Sequence, residues 1–214
     1  MRRKTAVYGG SFDPVHNAHL KIGKALPSQF VLDRFVYIPA FNAPHKSSRK
    51  PTSAYDRYAM LCLATQDEPQ LTVSRMEIEA PERPFSVETL ARLNEKFPED
   101  DIFFVMGADS WQDITTWREW QTVLTAANII VVTRPGVEIG VDHVTDEIRD
   151  RIVDLRGGRE YDPANTLHIY ITDAVELDVS ATEIRRKIRD ADSSWHDDVP
   201  PEVAKYIEKY QIYT

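Results

Sequence analysis

The sequence predicts an α/β protein in which a parallel sheet is covered by helices on both faces. Short apolar segments alternate with amphipathic segments along the chain, which is typical of a doubly wound sheet. The segments predicted as strands are 5–8, 30–38, 71–78, 101–106, 128–132 and 167–171. The chain of 214 residues contains no internal repeat, low-complexity tract or long linker. We therefore expect a single domain, residues 1–214, with a core of ordinary size.

Helices are predicted between these strands from apolar residues that recur at helical spacing. They cover 52–66, 144–155 and 202–213, and two more begin near residues 86 and 180. The helix over 144–155 is predicted from three apolar positions: Val144, Ile148 and Ile152. In the helix 52–66 four residues are expected to face the core: Tyr55, Ala59, Cys62 and Leu63. Arg57 of the same helix is expected to be exposed, as charged residues usually are.

A turn with two glycines and two histidines follows the first predicted strand. Residues 9–20 read GGSFDPVHNAHL, and the apolar positions that begin at Leu20 predict a helix directly after the turn. Glycines let a ligand approach the backbone closely, and the unpaired N–H groups of a helix N-terminus bind phosphate. His16 and His19 are three positions apart, so both imidazoles lie on one side of the first helical turn and can donate to phosphate oxygens.

Composition restricts the class of protein and of ligand. Hydrophobic residues make up 42% of the chain and charged residues 28%, as in ordinary globular proteins. A net charge of −8 argues against general binding to nucleic acid, so an anionic ligand must meet local basic groups. The single cysteine, Cys62, excludes a disulfide framework and suits a reducing cytosol. No run of about 18 apolar residues occurs, so we expect a cytoplasmic protein without a membrane span.

Polar residues follow two of the predicted strands, at the edge where ligands bind in open α/β sheets. The loop 39–51 gathers basic residues, among them Lys46, although a solvated basic loop also explains this cluster. Asp109 comes shortly after the strand 101–106 and can accept hydrogen bonds from ribose hydroxyls or lie near a metal. An Asx turn that leads into the next helix is the alternative for Asp109.

A second helix N-terminus carries hydroxyl and basic side chains. Ser180 and Glu183 have the spacing of a capping box, which by itself accounts for these two residues. The same N-terminus also offers backbone N–H groups and the hydroxyls of Ser180 and Thr182 to phosphate oxygens. Arg185 lies one turn further along and can form a forked contact with phosphates.

Together these segments resemble the nucleotidyltransferases that share an HxGH element. Residues 9–19 are similar to the family's GGxFDPxHxGH motif, with Ala18 where the family usually has glycine. Residues 180–185 resemble its second nucleotide motif, and the segment Pro44-His45-Lys46 resembles the loop after its second strand. The resemblance covers nearly the whole chain and implies a Rossmann-like, doubly wound parallel sheet. Within the superfamily, the set looks most like the bacterial nicotinate mononucleotide adenylyltransferases.

The resemblance implies a role for each candidate residue. Those implied in binding ATP are Gly9, Gly10, Ser11, Phe12, Ser180 and Thr182. Those implied in catalysis, by steadying the transferring phosphate or holding the outer phosphates, are His16, His19, Lys46 and Arg185. Those implied in binding the acceptor nucleotide are Ser86, Gly107, Asp109, Trp117 and Arg134. A helix N-cap is the alternative for Ser86, and a loop salt bridge is the alternative for Arg134. Arg57 stands where the family commonly has an arginine.

The resemblance implies adenylyl transfer from ATP to nicotinate mononucleotide, giving deamido-NAD and pyrophosphate in NAD biosynthesis. Mg²⁺ is expected on the triphosphate of ATP, carried mainly by substrate oxygens and water. The sequence has no His/Cys cluster with the spacing of a structural metal site. One alternative is a related transferase that acts on pantetheine phosphate, flavin mononucleotide or a cytidylyl acceptor. Another is a nucleotide-binding regulatory module without turnover. A relative of the aminoacyl-tRNA synthetases is disfavoured, because the chain is short and acidic. The oligomeric state stays open, a homo-oligomer included.

Overall fold

The computed structural model describes residues 2–41, 52–80, 82, 84–133, 139–163, 166–175 and 178–214. Within them, seven parallel strands form one sheet in the order β3-β2-β1-β4-β5-β7-β6. The strands are β1 (Arg3–Gly10), β2 (Arg34–Pro39), β3 (Leu71–Val73), β4 (Asp100–Gly107), β5 (Asn128–Val132), β6 (Ile152–Asp154) and β7 (Ile169–Thr172). The doubly wound parallel α/β fold is thus confirmed. Strand order reverses at β1, which pairs with both β2 and β4, and a crevice is expected at this point.

Helices cover both faces of the sheet. In the described residues they are α1 (Asn17–Phe30), α2 (Ala54–Thr65), α3 (Ser86–Lys96), α4 (Ala108–Gln112), α5 (Trp120–Thr125), α6 (Asp146–Arg149), α7 (Ala181–Arg189) and α8 (Pro201–Tyr210). β1 shows how the two layers arise, because successive side chains of a strand point to opposite faces. Ala6 and Tyr8 pack with the apolar residues of α1, α2, α7 and α8, whereas Val7 packs with those of α3, α4 and α5.

Two predicted strands begin or end elsewhere than expected. The predicted strand 30–38 begins only at Arg34, because α1 continues to Phe30 and ends at Val31 in a left-handed conformation with φ of 52°. The predicted strand 71–78 stops at Val73, and the chain then turns through hydrogen-bonded loops. Apolar residues alone do not mark these ends, because a helix terminus and a buried turn are apolar as well.

The predicted helix over 144–155 is wrong. Only α6 (Asp146–Arg149) is helical, and Ile152–Asp154 forms the edge strand β6 instead. β6 pairs with β7 in register Ile152 to Ile169 and Val153 to Tyr170. The β-branched residues Ile152 and Val153 favour this extended backbone, and the pairing with β7 overrides a helical spacing of three apolar positions.

The inner face of α2 also differs from the predicted one. Tyr55 is 63% exposed, and the buried positions are Arg57, Met60, Leu61 and Thr65. Ala59, Cys62 and Leu63 are only partly buried. The predicted exposure of Arg57 is therefore wrong, and the reason is that its guanidinium is satisfied internally by main-chain carbonyl groups.

Candidate active site

A cleft opens where β1 and β4 end side by side at the carboxyl edge of the sheet. Its volume is about 310 Å³, and it also receives residues from α1 and from the N-terminus of α7. Eleven of the candidate residues line it: Gly9, Gly10, Ser11, Phe12, His16, His19, Gly107, Asp109, Ser180, Thr182 and Arg185. The expected meeting of the segments 9–19 and 180–185 at this edge is confirmed by these positions. A nucleotide in this cleft would contact two helix N-termini at once.

His16 and His19 form the polar floor of the cleft at the start of α1. Their rings stack with centroids 3.6 Å apart and planes inclined by 23°. His16 is 6% exposed, and its Nδ1 has no hydrogen-bond partner among the described residues. Burial lowers the pKa of His16 to about 4, against a partial opposing effect of the Asp198 carboxylate. His16 is therefore a neutral imidazole at pH 7.

His19 is fixed in position by neighbouring groups. The backbone N–H of His16 donates to Nδ1 of His19 at 3.3 Å, so in the neutral ring the proton lies on Nε2. The hydroxyl of Tyr37 donates to the carbonyl oxygen of His19 at 3.0 Å. This contact needs a glycine at position 23, because a Cβ there would lie 2.1 Å from the Tyr37 oxygen. These contacts preorganise His19 for donation through Nε2.

The glycine turn is shaped by the buried ring of Phe12. Phe12 has a left-handed backbone with φ of 47°, and its side chain is 2% exposed. Its ring lies edge-on to His19 and Tyr37, with centroid distances of 4.9 and 5.6 Å. A Cβ at Gly10 would come within 2.9 Å of this ring, so the turn requires a glycine there. The Phe12 ring thus packs against the imidazole of His19 and holds it in place.

Arg185 connects α7 with the glycine turn. Its Nη1 donates to the carbonyl oxygen of Asp13, and its Nη2 donates to Oγ1 of Thr182 at 3.2 Å. The predicted capping box of Ser180 and Glu183 is wrong. Ser180 is the N-cap residue but makes no side-chain cap hydrogen bond, and Glu183 instead pairs with Arg186. The side chain of Ser180 therefore does not occupy the N–H groups at the N-terminus of α7.

Ser86 and Trp117 do not line the cleft, but they lie on segments that contact each other. The guanidinium of Arg118 lies 4.9 Å from the ring of Phe85 and 3.5 Å from a carboxylate oxygen of Glu88. Trp117 is half-buried against the layer of α3, α4 and α5. The predicted N-cap role of Ser86 is wrong, because Phe85 is the N-cap residue and its N–H donates to Glu88 at 3.0 Å. Lys46 and Arg134 lie outside the described residues.

Two residues beside the turn were not recognised from the sequence. Arg57 donates to the carbonyl oxygen of Ser11 at 2.6 Å, and the hydroxyl of Tyr213 donates to Oδ1 of Asp13 at 2.7 Å. An arginine on a helix and a tyrosine at the chain end are usually exposed, so pattern alone gives no signal for either. For Arg57, the arginine that the family commonly has at this position was the signal that could have indicated a role.

The described residues contain no group of three or more His, Cys, Asp or Glu side chains that could hold a metal ion. In the described part of the chain, no helix is long and apolar enough to cross a membrane.

The fold and the cleft first define a class: an α/β protein whose cleft, at the switch point of a parallel sheet, suits a phosphorylated nucleotide. A family model described as cytidylyltransferase-like matches residues 7–187, and the chain belongs to this family. Curated relatives with similar sequences share one name. A protein of Citrifermentans bemidjiense named "probable nicotinate-nucleotide adenylyltransferase" is 36% identical over 98% of both chains. A protein of Thermus thermophilus with the same name is 32% identical over 98% of this chain and 99% of its own length.

A solved structure agrees with the fold. The nicotinic acid mononucleotide adenylyltransferase of Plasmodium falciparum, in complex with NaAD, superposes with a TM-score of 0.72. The alignment covers 99% of this chain and 97% of that chain at 18% identity. This superposition confirms the Rossmann-like architecture.

Proposed function

We propose that this protein transfers the adenylyl group of ATP to nicotinate mononucleotide, giving deamido-NAD and pyrophosphate in NAD biosynthesis. Curated relatives with this activity in their names are 31 to 36% identical over almost the whole chain. The observation that carries the proposal is the convergence of the glycine turn, the stacked imidazoles and the α7 N-terminus at one cleft. This convergence provides donors on several sides of a triphosphate.

The reaction needs positioning and charge stabilisation more than acid–base chemistry. A phosphate oxygen of the acceptor forms a bond to the α-phosphorus of ATP, and the bond from that phosphorus to the bridging oxygen breaks. Pyrophosphate leaves with the electron pair. A phosphate is already an anionic nucleophile at neutral pH, so no side chain has to remove a proton from it. The contribution of the protein is to hold the two nucleotides in line and to stabilise the developing charge.

We assign the two histidines to the transferring phosphate. His19 donates through Nε2, because its Nδ1 is occupied by the N–H of His16. A neutral His16 stacked on His19 adds a second polar ring without adding a positive charge. Arg185 lies near the N-terminus of α7. Its guanidinium can give up the hydrogen bond to the Asp13 carbonyl oxygen and donate to β- and γ-phosphate oxygens instead. We propose Lys46 for the same outer phosphates.

The remaining ATP contacts follow the lining of the cleft, and the acceptor contacts follow the resemblance to the family. The backbone of Gly9, Gly10, Ser11 and Phe12 contacts nucleotide, and Ser180 and Thr182 bind the ATP end. We assign the acceptor to the side of β4 and α3, with Gly107, Asp109, Ser86, Trp117 and Arg134. The indole of Trp117 suits a flat, electron-poor pyridine ring. Mg²⁺ enters with ATP, and a cytoplasmic protein that uses these small molecules needs no nucleic acid or membrane partner.

The test is to supply ATP and Mg²⁺ with each candidate acceptor separately and to follow pyrophosphate release. The acceptors are nicotinate mononucleotide, nicotinamide mononucleotide, pantetheine phosphate and flavin mononucleotide. We expect the fastest release with nicotinate mononucleotide and none in its absence. The His19→Ala variant, purified in the same way, controls for contaminating activity. A different preferred acceptor would assign the protein to another branch of the superfamily, and no release with any acceptor would favour a regulatory module.

A further inference from the structure

Arg57 lies behind the glycine turn, and it has no role among the nucleotide contacts assigned above. It is 1% exposed. Its guanidinium donates to carbonyl oxygens of three separate segments. These are Thr52 before α2 at 3.1 Å, Ser11 in the glycine turn at 2.6 Å, and Ala40 and Phe41 after β2 at 2.6 and 3.1 Å. One side chain therefore joins the ATP side of the cleft to the end of the neighbouring strand.

Only arginine can make this set of contacts. Its planar guanidinium carries five donors in a rigid fork, whereas a lysine presents three donors from a single nitrogen. The acceptors are neutral carbonyl groups, and burial lowers the pKa of Arg57 against the more distant Asp13, Tyr213 and Glu77. A buried charge held by main-chain carbonyls is costly, and its structural effect is a fixed spacing of the three segments.

The same connection continues to the acceptor side. The N–H of Ala40 donates to the carbonyl of Gly10 at 2.9 Å, which ties the end of β2 to the turn a second time. The Glu77 carboxylate accepts a hydrogen bond from the backbone of Phe41 and another, at 2.7 Å, from the hydroxyl of Thr89. Thr89 is 2% exposed and belongs to α3, the helix that begins at Ser86. A chain of hydrogen bonds thus links the glycine turn to α3.

We propose that Arg57 is a positioning residue that fixes the glycine turn relative to the end of β2 and, through Glu77, relative to α3. This inference rests on the proposed function, in which the turn binds ATP and α3 lies beside the acceptor. In-line transfer needs the reacting atoms about 3 to 3.5 Å apart, and a misplacement of about 1 Å can reduce the rate about 100-fold. Arg57 therefore controls the rate of the chemical step more than the affinity for either nucleotide.

The test compares kcat and KM for each substrate in Arg57→Lys and Arg57→Met, at a temperature below the melting transition of each variant. We expect kcat to fall at least about tenfold in both variants, while KM for ATP changes less than about threefold. Arg75→Met is the matched control, because the side chain of Arg75 is 55% exposed and pairs only with Glu79, four positions along the chain, among the ion pairs of the described residues. An unchanged kcat in a folded Arg57→Met, or a full rescue by lysine, would overturn the proposal.

A second variant covers the case in which the Arg57 variants do not fold. Thr89→Val keeps the shape of the side chain but removes the hydroxyl that Glu77 accepts from. We expect it to lower kcat with little change in KM for ATP, and an unchanged kcat contradicts the connection to α3. The wild-type assay is run first. If the enzyme prefers another acceptor, the proposed function fails and the variants are compared with that acceptor; if none is used, both proposals fail.

Discussion

The imidazole rings of His16 and His19 stack face to face, with centroids 3.6 Å apart, at the floor of the cleft. Two imidazolium cations at this distance would repel each other strongly. Burial resolves this by lowering the pKa of His16 to about 4, so that His16 stays neutral at pH 7. The pair then acts through N–H donors in fixed positions rather than through two charges, which suits a transition state whose charge is spread over several phosphate oxygens.

We predict that His19→Gln retains more turnover than His19→Asn. Nδ1 of His19 accepts from the N–H of His16, so the donor for phosphate is at Nε2. A glutamine amide reaches the position of Nε2, whereas an asparagine amide reaches only that of Nδ1. We expect kcat to fall about 10-fold for glutamine and about 100-fold or more for asparagine, with ATP affinity nearly unchanged in both.

The measurement is pyrophosphate release under saturating substrates, together with calorimetric binding of ATP. Lys21→Ala is the control, because Lys21 is an exposed residue on the same helix. Equal losses in the two His19 variants would contradict the assignment of the donor to Nε2, and a parallel loss of ATP affinity would indicate a binding role instead.

Protonation of His16 predicts a loss of stability in mild acid. The folded-state pKa is lowered to about 4 from 6.5, so below pH 6.5 the unfolded chain takes up a proton that the folded chain does not. Stability from this group is therefore complete above about pH 6.5 and lost as the pH falls towards 4, by up to about 3 kcal/mol. His16→Asn, which cannot titrate, lacks this part of the pH dependence.

Urea unfolding of both proteins between pH 4 and 7.5 measures the effect. Carboxylates such as Asp198, which faces His16, titrate in both proteins, so the difference between the two curves isolates the imidazole. A difference in unfolding free energy that is constant across this range would show that His16 is not buried in the neutral form.

The fold and the position of the cleft could be predicted because they follow from patterns along the chain. The strand Asn128–Val132 was predicted with its observed bounds, since five consecutive residues are buried on both faces. The glycine turn and the segment 180–185 were predicted to meet because parallel strands end at one edge. The edge strand β6 was not predicted, because its three residues are stabilised by pairing with β7 rather than by a pattern of their own.

The contacts that shape the turn could not be predicted from sequence. Arg57 and Tyr213 act through main-chain or carboxylate oxygens of Ser11 and Asp13, which are about 46 and 200 positions away in the chain. Their burial depends on how the helices pack, and a charged residue in a helix has the same local pattern whether it faces solvent or the core. The capping box of Ser180 failed for a related reason, because the carboxylate of Glu183 pairs with the guanidinium of Arg186.

Trp117→Ala is predicted to weaken the binding of the acceptor nucleotide more than the binding of ATP. Trp117 does not line the cleft and is half-buried against the layer of α3, α4 and α5. Its proposed role is to stack on the pyridine ring of the acceptor. We expect KM for nicotinate mononucleotide to rise about tenfold and KM for ATP to change less than about threefold. Trp120→Ala is the matched control, since Trp120 packs against the same layer. Equal changes for both substrates, or the same profile in the Trp120 variant, would indicate a packing role for Trp117.

Glu77 predicts a pH dependence of opposite sign to that of His16. Burial raises the pKa of Glu77 from 4.5 to about 7, although hydrogen bonds from Thr89 and the Phe41 backbone, and the charges of Arg92 and Arg57, favour the ionised form. Between about pH 4.5 and 7 the unfolded chain has lost this proton while the folded chain keeps it, so stability falls as the pH rises through this window, by up to about 3 kcal/mol. Glu77→Gln keeps an acceptor for Thr89 but cannot ionise. The measurement is the free energy of unfolding of both proteins from pH 4 to 8. We expect the stability of the variant relative to the wild-type protein to increase as the pH rises. Parallel curves would show that Glu77 ionises as freely in the folded chain as in the unfolded one.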